Sequence, residues 1–177
     1  MLQKLTFLAF GFAAVCAGPQ ASAQSLDCGG FREAMAKAAG DLNVDFTRAL
    51  VVARGDRAGL QQYDLASRAR IDGVLRCRGD AFVGFEAKIH SPFEGDLVSR
   101  FDKAQEAALV AALKWSQPRA HSRISDLSRD AAEYLRGSAE RGDVAVAGKI
   151  EEHLPGGVTL GAVWTGNDRT FLLLQED

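Results

Sequence analysis

Two periodicities alternate along this chain of 177 residues, and the order in which they appear predicts its architecture. Phe31, Ala34, Met35 and Ala38 recur at the spacing of one helical face, predicting a helix over about Phe31 to Ala39 that Gly40 closes. Ala49 to Ala53 is a short valine-rich run bounded by Gly55, and Leu60 opens a longer extended stretch. From Leu65 the period is two. Leu65, Ser67, Ala69, Ile71, Gly73, Leu75 and Cys77 face one way, and Asp64, Arg68, Arg70, Asp72, Arg76 and Arg78 the other, predicting one half-buried strand bent at Gly73. Gly79-Asp80 then turns the chain into a strand with Val83, Phe85, Ala87 and Ile89 inward and Glu86, Lys88 and His90 outward.

After Ser91-Pro92 the period lengthens to that of a helix, with Leu97, Phe101, Ala104, Ala108, Ala111 or Ala112, and Trp115 on one side and Pro118 as its stop. A further helix over about Ser125 to Ser138, capped at Ser122 or Ser125, buries Leu127, Ala131 and Leu135. Three extended segments follow: Val144 to Glu152, Val158 to Thr165 and Thr170 to Gln175. Leu154-Pro155-Gly156-Gly157 and Gly166-Asn167-Asp168 separate them. The order α-βββ-αα-βββ predicts an α+β domain with about six strands in a largely antiparallel sheet and helices on one face.

The first residues follow neither period. Lys4 precedes an uncharged apolar run from Leu5 to Val15, Gly18-Pro19 breaks it, and Ala21-Ser22-Ala23 carries the small side chains of a signal-peptidase site. A bilayer span needs about 20 apolar residues, which this run does not reach. Residues 1–23 therefore read as a cleavable signal peptide and residues 24–177 as one domain, exported to the periplasm first and the extracellular space second. Acylation at Cys16 fits less well, because Val15 stands where a lipoprotein signal carries a small residue.

Export changes the cysteine count. Of three cysteines, Cys16 leaves with the leader, and Cys28 and Cys77 are predicted to pair in an oxidising compartment. Closing a loop of about 50 residues is worth roughly 4 kcal/mol in the chain-entropy model. Neither cysteine has a second at CxxC spacing, so no metal or redox pair is expected. Lys4 is the leader's one charge, and the remaining chain carries 23 acidic residues against a slightly smaller basic complement. Such a balance gives no bulk attraction to nucleic acid or anionic lipid, and no membrane anchor is expected after cleavage.

Candidate chemistry is sparse. Arg68, Arg70, Arg76 and Arg78, with Lys88 and His90 on the next strand, form a face suited to an anionic group, although Asp64, Asp72 and Glu86 share it. His90, His121 and His153 belong to no metal-binding spacing, and no cofactor motif occurs. A hydrolytic site would draw on His153 or His90 with Glu151, Glu152 or Glu86. There is no GxSxG elbow and no phosphate-cradling loop. Asp102 with Glu106, and Asp126 with Asp130, read as solvated helix faces. Arg-Gly-Asp at Arg54, Arg78 and Arg141 fits turn chemistry better than adhesion. These features favour a non-catalytic exported protein that binds another protein or a small anionic ligand. A small hydrolase is the alternative, and so is a hydrolase inhibitor using the hairpin loops 154–157 and 165–169 around Trp164.

Overall fold

The computed structural model describes residues 26–49, 59–140 and 148–176. The leader, most of the valine-rich run, the Arg-Gly-Asp copies at Arg54 and Arg141, and the strand start at Val144 lie outside them. Among the described residues, three α-helices and seven strands form one α+β domain: α1 (Cys28–Ala39), β1 (Asp45–Arg48), β2 (Leu60–Ala66), β3 (Asp72–Arg78), β4 (Ala81–His90), α2 (Leu97–Leu113), α3 (Gln117–Glu140), β5 (Gly148–Leu154), β6 (Val158–Trp164) and β7 (Asp168–Gln175). Every strand pair is antiparallel and the spatial order is β1-β2-β3-β4-β7-β6-β5. The sheet is thus two meanders joined where β4 pairs with β7, with the two long helices as the crossover between them.

Helix α1 begins earlier than its apolar period suggests because Asp27 caps it, its carboxylate accepting from the amides of Gly29 (2.9 Å) and Gly30 (3.1 Å). The same corner is tied to the β3–β4 hairpin. Cys28 N–H donates to Asp80 O and Phe82 N–H to Leu26 O, and the predicted Cys28–Cys77 disulfide closes beside them with Cα atoms 6.2 Å apart. Phe31, Phe46, Phe82 and Phe85 pack behind it, with ring centroids 4.9 to 6.3 Å apart. Burying each such ring contributes on the order of 1.5–3 kcal/mol.

Three expectations change. The strand predicted from Leu65 to Cys77 is a hairpin, β2 and β3, turned over residues 67–71, and the alternation survives because Leu65 and Gly73 end up facing each other on the core side. Gly73 is there for space, since a Cβ on it would lie 2.6 Å from the Cβ of Leu65. In β4 a bulge opposite Arg76 and Cys77 pairs Phe82 with Cys77, so Phe82 is buried and Val83, the expected core residue, is only half-buried. Pro118 does not stop α2. That helix ends at Leu113, with Lys114 in the left-handed conformation, and Pro118 sits in the first turn of α3, where no intrahelical N–H is required. Ser122 and Ser125 are therefore inside α3 rather than at its cap.

Helix α2 lies against α1, α3 and β4 together. Its residues 104–109 are all buried, a run that no single-face pattern contains, and the alanines among them let neighbours approach closely. That enclosure takes Gln105 and Glu106 into the interior with them.

Candidate functional site

The predicted arginine row lies on the face of the sheet away from the helices, and its centre is neutralised. Arg76 is 3.1 Å from Glu86, Lys88 Nζ is 3.1 Å from Asp168, and the ring nitrogens of His90 are 3.2 Å from Asp72 and 2.6 Å from Asp168. Hydrogen bonds from His90 and Lys88 hold the Asp168 carboxyl below the usual carboxylate range. Arg68 and Arg70 stand apart, in the exposed turn between β2 and β3, and Arg78 is an exposed strand-end residue. Arg70 and His90 meet in a hollow of about 190 Å³ beside Ser91 and Pro92.

Each histidine has a carboxylate partner, and the three occupy different surroundings. His153 on β5 is directly opposite Thr159 on β6, with its Nδ1 3.0 Å from the Thr159 hydroxyl. Both contact Glu176, whose carboxyl is held low by the Thr159 hydroxyl and then by His153. Glu152, the neighbour proposed as its catalytic carboxylate, projects to the opposite face of β5 and pairs with Arg123 of α3. His121, which precedes the helix expected from Ser125, lies in the second turn of α3. Its Nδ1 is 2.7 Å from the buried Glu106 while the imidazole itself is 71% exposed.

The pair read as a solvated face, Asp102 and Glu106, is instead the polar part of the helix interior, because α2 is covered on that side as well. Glu106 is 7% exposed and also accepts from the Gln117 amide at 3.3 Å. Burial pushes the Asp102 carboxyl up to about 6; the Arg169 charge opposes this, Glu106 adds to it, and Gln105 donates a hydrogen bond at 3.2 Å. Arg169 in turn lies between two aromatic rings, with its guanidinium carbon 4.8 Å from the Phe93 centroid and 4.2 Å from that of Trp164. Burial lowers its own pKa and Asp102 raises it. Asp126 and Asp130 do form an exposed face, both contacting Arg129.

On the other flank of α3 a groove of about 330 Å³ opens against the end of β5 and the β5–β6 hairpin. Trp115, Leu154 and Pro155 supply its apolar wall. Arg119 lies over the Trp115 ring at 4.2 Å, and Arg123 donates from Nη2 to Glu152 while its Nε is buried without an acceptor. Of the three hollows described, this one reaches the roughly 300–1,000 Å³ range of small-molecule sites, the others being about 260 and 190 Å³. None of its guanidinium groups was singled out from sequence. Arg119 and Arg123 are four residues apart on one side of α3, with Trp115 in the connection just before it, a pairing that goes unseen when the helix is expected to begin at Ser125.

Among the described residues no group of three or more His, Cys, Asp or Glu is arranged to hold a metal ion, and no helix is long and apolar enough to cross a membrane. Compared with known proteins, the chain matches no family model, no curated protein and no solved structure.

Proposed function

We propose that this chain is an exported, non-catalytic binding protein whose ligand site is the groove between α3 and the β5–β6 hairpin. The observation that carries this reading is Arg119, a guanidinium laid on Trp115 in a hollow of ligand size and exposed to solvent. A planar cation held flat on a ring is pre-oriented, so less rotamer entropy is lost when an anion binds it. The sheet face first considered has less to offer, because Asp72, Glu86 and Asp168 already serve its central cations. The export part rests on the leader pattern of residues 1–23 together with the Cys28–Cys77 disulfide, which persists in oxidising compartments.

The alternatives have less support. A hydrolytic site built from His153 and Glu152 finds both at the rim of this groove, but each is engaged elsewhere, Glu152 by Arg123 and His153 by Thr159 and Glu176. An inhibitory loop at 165–169 needs projecting side chains, whereas Asp168 is bound by Lys88 and His90 and Arg169 is held between Phe93 and Trp164.

The test uses full-length chain expressed in a bacterial host and recovered from its periplasm. Mass spectrometry is expected to find an N-terminus at Gln24 and an intact disulfide. Acetate, sulfate and phosphate are then titrated while tryptophan fluorescence is followed, and a response that Arg119→Ala removes supports the reading. Retention in the cytoplasm overturns export, and an unchanged response in Arg119→Ala overturns the site.

A further inference from the structure

We infer that the groove takes a short peptide with free termini, its carboxylate against Arg119 and its ammonium toward Asp126. This rests on the groove being the ligand site and goes further by naming the chemistry. The lining presents both signs of charge, Arg119, Arg123 and Asp126 along α3 with Glu152 and His153 from β5, around the apolar wall of Trp115, Leu154 and Pro155. A phosphate or sulfate dianion entering there satisfies the guanidinium groups and meets two carboxylates of its own sign. A zwitterion meets both. The Trp115 ring is not a free stacking platform, because Arg119 covers it, so sugars and nucleobases lose the contact that normally draws them to an exposed indole.

Charge within the groove is only partly spent. Arg123 has one bond, to Glu152, and a buried Nε without an acceptor, so its guanidinium uses fewer donors than its fork provides. Arg119 has its ring contact with Trp115, and its fork matches a terminal carboxylate in two parallel hydrogen bonds. Asp126 is 2.9 Å from Arg129 but 44% exposed, leaving oxygen accessible to an ammonium group. Side chains between the termini then lie along Leu154 and Pro155, and the open, shallow shape suits small ones.

The experiment is isothermal titration of the periplasmically purified protein with tri-alanine, its C-terminal amide, its N-acetyl form and inorganic phosphate. Tri-alanine is expected to bind, and amidation and Arg119→Ala each to weaken it about tenfold or more, the loss of a charge-assisted hydrogen-bonded pair. Arg119→Lys, which keeps the charge and loses the fork, is expected to fall between the two. Asp126→Asn should weaken tri-alanine while leaving the N-acetyl form unchanged. Circular dichroism checks that each variant is folded, and Arg119 is exposed enough for substitution to leave the core intact. Equal binding of tri-alanine and its amide overturns the peptide proposal. Phosphate binding lost in Arg119→Ala, without peptide binding, overturns the peptide proposal and leaves the groove as an anion site. If neither probe binds, both readings fail.

Discussion

Two pairs of carboxylates occur on successive helices at the same four-residue spacing, and they meet opposite fates. Asp126 and Asp130 on α3 share Arg129 in the open, each with nearly half its side chain exposed. Asp102 and Glu106 on α2 are drawn inward, Glu106 to 7% exposure, and are answered by His121, Gln117, Gln105 and the ring-stacked Arg169. Spacing along one helix is the same in both. The difference is that α3 has an open outer side, while α2 is enclosed by α1, α3 and β4. Carboxylates drawn inward invite a functional reading, yet here each is answered by side chains of α2, α3 and β7, with Gln117 and His121 on the exposed rim, which makes them a structural network as it stands.

Reversing charge at matched positions separates the two pairs most strongly. Glu106→Lys puts an ammonium group where Gln117 and His121 point donors, and is expected to cost about 3–4 kcal/mol of unfolding free energy, a large share of a marginal total. Asp130→Lys is expected to leave the urea midpoint unchanged; equal midpoints for the two variants would erase the comparison. Arg169→Ala comes next. It removes the charge opposing Asp102 desolvation and both ring contacts, and because the guanidinium is only half-buried the expected loss is discounted to about 2 kcal/mol. Arg129→Ala, the exposed counterpart, should not shift the midpoint.

The smallest effect is one of pH. The Asp102 carboxyl has its pKa raised from 3.8 to about 6 on folding, so the native state holds this proton more tightly than the unfolded chain. Its contribution favours folding fully below pH 4 and is lost as pH rises through 6. Partial exposure discounts the size to about 1–2 kcal/mol. Asp102→Asn should therefore flatten the stability profile between pH 4 and 6 and raise stability at pH 7 by about 1 kcal/mol. A native profile already flat across the window would refute the assignment.

Much of the fold was legible because each local signal had one physical meaning. Period-two alternation placed the inner and outer faces of β3 and of β4 from Phe85 to Lys88, the glycine turns placed three hairpins, and the cysteine count placed the disulfide. The errors have causes of the same kind. Pro118 terminates a helix or begins one with equal ease, and choosing termination hid the first two turns of α3 and with them Arg119 and Arg123. Val83 was placed in the core by parity, which a bulge reverses without changing the sequence pattern. The arginine row was correctly put on one face in Arg76, Lys88 and His90, but Asp168, which occupies Lys88 and His90, comes from a strand almost 80 residues away.

The sequence by itself determined most of the elements, the faces of β3 and of much of β4, the disulfide and the leader pattern, because these depend on neighbours one to four residues apart or on the count of a rare residue. Tertiary structure alone decided which charges are spent. It joined β4 to β7 and so gave Lys88 and His90 their acid, enclosed α2 and so buried Glu106, and set α3 against β5 so that Arg119 and Arg123 line one groove. Electrostatic partnership acts through space, and the helical crossover that creates these meetings leaves no trace in the spacing of the residues that meet.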